Sequence, residues 1–424
     1  MNLFKRMRHL SDVQKLYAIS LLSGMLFYTP VMTLFLLQRD ISVAFLVIAQ
    51  TAFSVAMMLS EVPTGVLADK YGQRFSLQAS LTLNALGMMQ LLLVRNELAL
   101  LAFFAVRGIS VAFQSGSDEA LLYESYNKEY KNTQGYSKAF GRYLSYDILG
   151  FVIAVATSGV VVQFYGAMAY IPLIILTSLA VGSGLAISFM LSNGRRRKLV
   201  SDDFKSIQHA KNSFRLIKNN RTIFALMIAG LLTLNGEYFL RQTYQPFFED
   251  AAVPALFLGL ALAIGKLLNY FVIRNSHILE ERLSVDKIIL LVNTLIGVSF
   301  IGLWVGSNYA WVVVMMFIVI QALLNAQRPV VSDYVNQRTK SHQRSAVLSA
   351  ISFTQNLAQV AARLLLGASV GLIGTGTTYA MQGMYMLVGA TAAFWYLRKC
   401  GCTHRVRPHE DSITSLKTVE EASY

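Results

Sequence analysis

Twelve apolar runs limit what this chain can become. They cover approximately residues 16–37, 42–68, 75–94, 98–123, 142–164, 168–191, 222–247, 254–273, 287–306, 309–332, 345–371 and 375–397. A helix rises about 1.5 Å per residue, so ~20 apolar residues cross a ~30 Å hydrocarbon core. Backbone in lipid must satisfy its own polar groups, which leaves helices or closed barrels. The runs are too long for barrel strands and lack their alternation. The expected fold is an all-α polytopic membrane protein with twelve transmembrane helices. Composition agrees, with 54% hydrophobic and 14% charged residues.

The net charge of +14 raises the question of nucleic acid, and its distribution answers it. Twelve spans put both termini on one side. That side carries 30 of the 37 Lys and Arg residues, and the opposite loops carry two, Arg39 and Arg95. By the positive-inside rule the basic side is cytoplasmic. The charge is thus a topology signal with an attraction to anionic lipid headgroups, and nucleic acid is not an expected partner. Lys5, Arg6 and Arg8 precede a run too long for a signal peptide and without a cleavage site, so the first helix is expected to stay. Cys400 and Cys402 fall in the tail and read as reduced thiols, with metal binding or lipidation as alternatives.

A basic polar stretch at 192–221 divides the chain into six-span halves, 1–191 and 222–397, followed by a cytoplasmic tail at 398–424. Residues 203–217 read either as an amphipathic helix on the inner membrane surface or as a solvated linker. The halves show weak internal repetition: Glu124 corresponds to Asp333 and Arg142 to Arg344, at offsets of 209 and 202. Repeats of like orientation place a substrate site at their interface near the bilayer midplane.

Residues 65–74 read G-V-L-A-D-K-Y-G-Q-R. This resembles the loop signature between helices two and three of the major facilitator superfamily, G-x-L-A-D-[RK]-x-G-[RK]-[RK]. Gly65, Leu67, Ala68, Asp69, Lys70, Gly72 and Arg74 match, and Gln73 departs from it. Gly65 suits close helix approach and Gly72 a tight turn with positive φ. The resemblance implies a cytoplasmic latch that holds the halves in the outward-facing state. Asp69 would act with the start of helix eleven, and the basic residue with an acid ending helix four, here Glu124. The alternative is a set of charges that only anchors the loop. Arg107, in "FFAVRGISVAF", resembles the family's fourth-helix motif, and "SGSDEALLYES" resembles a branch that includes drug exporters. The antiporter signature G-P-x-x-G-G is absent from span five.

Ionisable groups inside spans are costly and usually functional. Arg107 lies about nine residues into its span, hence ~13 Å deep. Glu61 lies about eight residues before Asp69, hence ~12 Å from the cytoplasmic surface. Lys266 lies mid-span at an offset of 205 from Glu61. These residues are expected to line a central cavity, with Glu61 and Arg107 on one side and Lys266 on the other. Glu61 would carry a proton, hold a cationic group, or join a salt bridge that substrate breaks; a permanent ion pair is the alternative. Glu237 and Arg241, four apart, share a helix face and can pair; with Tyr238, Tyr244 and Gln245 adding aromatic and hydrogen-bonding groups, this stretch is either a substrate or gating segment or a rim ion pair with interfacial aromatics. Asp147 is a further cavity or gate candidate, and Tyr28 and Pro30 read as a cavity residue and a kink.

All six histidines fall in cytoplasmic segments, so proton carriers must be carboxylates: Glu61, then Asp147 or Glu237. The sequence shows no phosphate loop, nucleophile–base pair or metal-spaced cluster, so neither enzymatic chemistry nor a cofactor is expected. The reading is a secondary transporter of a bacterial cytoplasmic membrane, functional as a monomer. Resemblance points first to proton-driven export of small amphipathic molecules, such as drugs or an antibiotic. The alternatives are an importer or facilitator of a polar or zwitterionic solute, and a non-transporting receptor or assembly partner.

Overall fold

The computed structural model describes residues 10–130, 136–192, 221–275, 278, 282–324, 326–327 and 344–399. The linker at 193–220, Arg328, Asp333 and the tail from Cys400 lie outside them. Every one of the twelve apolar runs carries helix. In the first half these are α1 (Asp12–Gly24), α2 (Met32–Leu37), α3 (Val43–Tyr71), α4 (Gln73–Leu93), α5 (Glu97–Gln114), α6 (Ser117–Tyr130), α7 (Tyr136–Tyr165) and α8 (Tyr170–Ser188). In the second half they are α9 (Arg221–Asp250), α10 (Leu256–Arg274), α11 (Val285–Val305), α12 (Ala310–Leu323), α13 (Arg344–Ile373) and α14 (Thr375–Lys399). Two spans are assembled from two helices each: α1 with α2, and α5 with α6.

Short polar connections carry the caps. The Ser11 hydroxyl accepts from the Gln14 amide at 3.2 Å, Ser42 from Phe45 at 3.1 Å, and Asn96 from Ala99 at 2.8 Å. Gly72 turns α3 into α4 with φ of +96°, a conformation that costs a residue with Cβ ~1–2 kcal/mol. Pro63 lies inside α3 and removes the amide that would bond the Leu59 carbonyl, yet the helix runs through it.

The chain alternates between two ends of the bundle. The terminal end holds Ser11 and Lys399, and there Lys15 bonds the Met190 carbonyl at 3.1 Å, tying α1 to the end of α8. The far end holds the 38–42 and 94–96 turns, where Arg39 donates to the Leu92 and Val94 carbonyls at 2.7 and 2.6 Å.

The halves meet through α3 with α13 and α7 with α10. Their tightest approaches gather at the far end. A Cβ on Gly259 of α10 would run into the Val155 carbonyl of α7 and reach the Gly159 amide at 2.7 Å. One on Gly367 of α13 would meet the Ala44 carbonyl of α3 at 2.9 Å. Gln163 of α7 accepts from the Leu256 amide at 2.9 Å. Toward the terminal end the same helices expose Leu59 and Val62 of α3, Leu144 and Leu149 of α7, and Leu267 and Phe271 of α10. The closest backbone approaches between the halves among the described residues therefore lie at the far end.

Candidate functional site: a cationic cavity between the halves

Span one is interrupted between α1 and α2, and the break opens a cavity. Residues 27–30 form turns around Pro30, which leaves backbone groups without intrahelical partners. Gln245 of α9, from the other half, fills the gap. Its side-chain carbonyl accepts from the amides of Thr33 at 2.8 Å and Leu34 at 3.3 Å, and its amide donates to the Thr29 carbonyl at 2.9 Å. Thr33 adds a bond to the Gln242 carbonyl at 3.0 Å. The Tyr28 amide donates to Thr177 of α8 at 3.1 Å, which holds the tyrosine at the break.

The cavity has a volume of about 150 Å³. Tyr28 and Met32 line it from span one, Gln50 and Phe53 from α3, Phe103, Phe104 and Arg107 from α5, and Tyr238, Arg241, Gln242 and Gln245 from α9. Gln50 and Phe53 fall within the first ten or so residues of α3, about 10–15 Å from its far end. Among the expected site residues, Tyr28, Arg107, Tyr238 and Arg241 share this one cavity.

Charge in and around the cavity is mostly positive. Arg107 donates to the side-chain oxygen of Asn84. Arg241 pairs with Glu237 at 3.0 Å, and Lys266 pairs with the same carboxylate at 3.1 Å. Arg363 of α13, only 2% exposed, donates across the interface to the Gln50 carbonyl at 3.1 Å and to the Ser54 hydroxyl, and within its own helix to Gln359 at 2.9 Å. Its guanidinium lies 4.3 Å from the centre of the Tyr238 ring, a cation–π contact. The Arg363 Nε is buried with no hydrogen-bond partner.

Three expected placements change. Lys266 does not face Glu61, because the nearer carboxylate of Glu237 in its own half takes it. Glu61 does not line the cavity. It lies three turns along α3 from Gln50 toward the terminal end, exposed and without an ion-pair partner among the described residues. Asp147 also lies outside the lining; it sits where α7 crosses Gly24 of α1 and feels the charge of Lys266.

At the terminal end a second pocket of about 320 Å³ is lined by Asp69, Gly72, Glu119, Tyr123, Glu124 and Tyr136, among others. Burial and the nearby charges of Glu119 and Asp118 push the Tyr136 hydroxyl up to about 12. The basic residues of the loop are directed elsewhere. Arg74 donates to the Phe189 carbonyl at the end of α8 at 2.7 Å, and the Lys70 ammonium lies 5.1 Å from the Tyr71 ring centre. Among the described residues a Cβ on Gly65 would meet nothing within 4 Å, so none of their helices uses the close approach that the glycine permits. The loop's described contacts thus fall within the first half, and the side chains at the start of α13 lie outside the described set.

Two six-span halves around a shared cavity, joined by α3–α13 and α7–α10 contacts, meet the expectation raised by residues 65–74. The Major Facilitator Superfamily pattern matches residues 16–319. The chain belongs to that superfamily. Solved structures of like fold include the nucleoside transporter NupG (14% identity, TM-score 0.73, covering 92% of this chain and 100% of that one). The peptide transporter POT is similar (11%, TM-score 0.72, 92% and 95%), as is a D-xylose-proton symporter (12%, TM-score 0.68, 92% and 98%). A curated relative, the uncharacterized MFS-type transporter YxaM of Bacillus subtilis (strain 168), is 18% identical over 386 residues, covering 88% of this chain and 92% of its own. In this superfamily member two residues gain partners that sequence reasoning did not find, Arg363 and Gln245. Arg363 was visible only as a charge inside a span, since its partner carbonyl lies 313 residues away. Gln245 stood out in the sequence only as a hydrogen-bonding group of span seven; its partners Thr33, Leu34 and Thr29 lie more than 200 residues away.

Proposed function

We propose that the protein is a secondary active transporter that moves a small polar or zwitterionic solute by alternating access, coupled to the proton gradient. One observation carries this reading: Arg107 and Tyr28 from one half and Arg241 and Tyr238 from the other line one cavity, at an interface whose closest backbone approaches lie at the far end. Export of amphipathic drugs, first in the sequence reading, draws less support from a cavity with two arginines and three glutamines in its wall. The nucleoside, peptide and xylose transporters of like fold all carry polar solutes. In this reading both termini are cytoplasmic, the membrane is a bacterial cytoplasmic membrane, the monomer is the working unit, and the conformation described is inward-facing with the 65–74 latch released. Glu61, a carboxylate without an ion pair among the described residues, is the proposed proton carrier, with Asp147, which feels the charge of Lys266, as its second. Proteoliposomes with an imposed pH gradient test this. Solute-dependent proton flux is expected, and Glu61→Gln should abolish it. Full flux in that variant would remove Glu61 from the coupling path. A far end that never becomes accessible to thiol reagents would favour the receptor alternative instead.

A further inference from the structure

We propose that the solute is a small organic anion whose negative group is held by Arg107 from one half and Arg241 from the other. This rests on the transporter reading above and names the substrate class of the same cavity. Among the described residues the cavity wall contains these two cations and no acid. In the surrounding layer Lys266 and Arg363 add two more, against Glu237 and, at longer range, Asp147. The site is therefore cationic even when the described neighbouring carboxylates are counted.

The partners of these cations point the same way. Among the described residues neither Arg107 nor Arg363 has a carboxylate partner; both are served by neutral oxygens. A charge held between helices without a counter-ion is costly, and it persists where a ligand supplies the missing charge. The unpartnered Arg363 Nε, buried beside Tyr238 and Gln50 of the cavity wall, is a further donor left unused. The protein itself supplies an example of the fit: the Glu237 carboxylate binds Arg241 and Lys266 at 3.0 and 3.1 Å. Carboxylate and phosphate both match the guanidinium fork, and either would compete with Glu237 for Arg241. Tyr28 and Tyr238, which line the same cavity, would pack against the carbon skeleton. Because the two arginines come from different halves, an anion between them draws the halves together, which couples occupancy to conformational change.

Thermal unfolding of the purified full-length protein in detergent tests this with succinate, benzoate and glycerol phosphate as probes. Succinamide, benzamide and benzylamine are the neutral and cationic controls. Saturable stabilisation by anions alone is expected, and the carboxylate and phosphate arms identify the preferred headgroup. Arg107→Gln and Arg241→Gln should each weaken anion binding on the order of tenfold or more. Arg107→Lys should recover much of it, which separates lost charge from lost folding. Glu237→Gln should tighten anion binding by freeing Arg241 and Lys266. Stabilisation by the controls alone, by none of the probes, or by anions to the same degree in both Arg→Gln variants would overturn the proposal. If reconstituted protein moves neutral or cationic solutes, the anion inference falls while the transporter reading stands. If it moves no solute of any charge, the transporter reading itself falls.

Discussion

The two ends of the interface between the halves are built on different principles. At the far end the halves touch through backbone: Gly159 with Gly259, Gly367 with Ala44, and Gln245 filling the break in span one. At the terminal end polar groups do the work, and their described bonds stay within one half. Arg74 serves the Phe189 carbonyl and Lys70 stacks on Tyr71. Glycine contacts are short-ranged and lost within an ångström of separation, so they define a sharply closed state. Charges act over several ångströms and can change partners. The difference suits a molecule with one end shut while the other keeps its groups ready for new contacts.

The largest expected effect comes from spoiling the glycine seam. Gly259→Val places a side chain against the Val155 carbonyl, so the far end should open in the resting protein by on the order of ten- to a hundredfold. Thiol labelling of Ala44→Cys, in a background with Cys400 and Cys402 replaced by serine, reads this out. Unchanged labelling would mean that the seam does not hold the closed state. Next in size is Gln245→Leu, which strands the Thr33 and Leu34 amides and the Thr29 carbonyl at a cost of about 2–4 kcal/mol. Reversible unfolding in mixed micelles checks it, and a loss below about 0.5 kcal/mol would show that the break is satisfied by other groups. The smallest effect on stability belongs to the terminal end. Asp69→Asn should change unfolding by less than about 0.5 kcal/mol, because the exposed carboxylate has no ion pair among the described residues. Transport turnover should nonetheless slow, since the latch would act in the opposite state. Wild-type turnover would reduce these charges to loop anchors.

The same contrast explains what could be read from sequence. The helices were legible because lipid imposes length and hydropathy on every span, and residues 65–74 identified the superfamily through residue types at fixed spacing. Gly72 was legible because a two-helix turn of that length needs positive φ, and the backbone has it. Tyr28, Arg107, Tyr238 and Arg241 were legible as polar or aromatic groups at a depth where such groups are costly. Partnerships were not legible. The offset between Glu61 and Lys266 suggested a pair, but repeat symmetry fixes depth and not the direction in which a side chain points. Glu237, on the neighbouring helix α9, is simply nearer. Arg74 and Arg363 bond main-chain carbonyls, which every residue possesses and no sequence pattern marks.

Gln245 stands in for water at the broken first span. When the halves separate at the far end, the three backbone groups that it serves must find other partners, and the nearest supply is solvent entering the gap. Opening of that end is thus a hydration reaction as well as a rigid-body rotation. Osmolytes that lower water activity should shift the balance toward the sealed form even when they never enter the cavity.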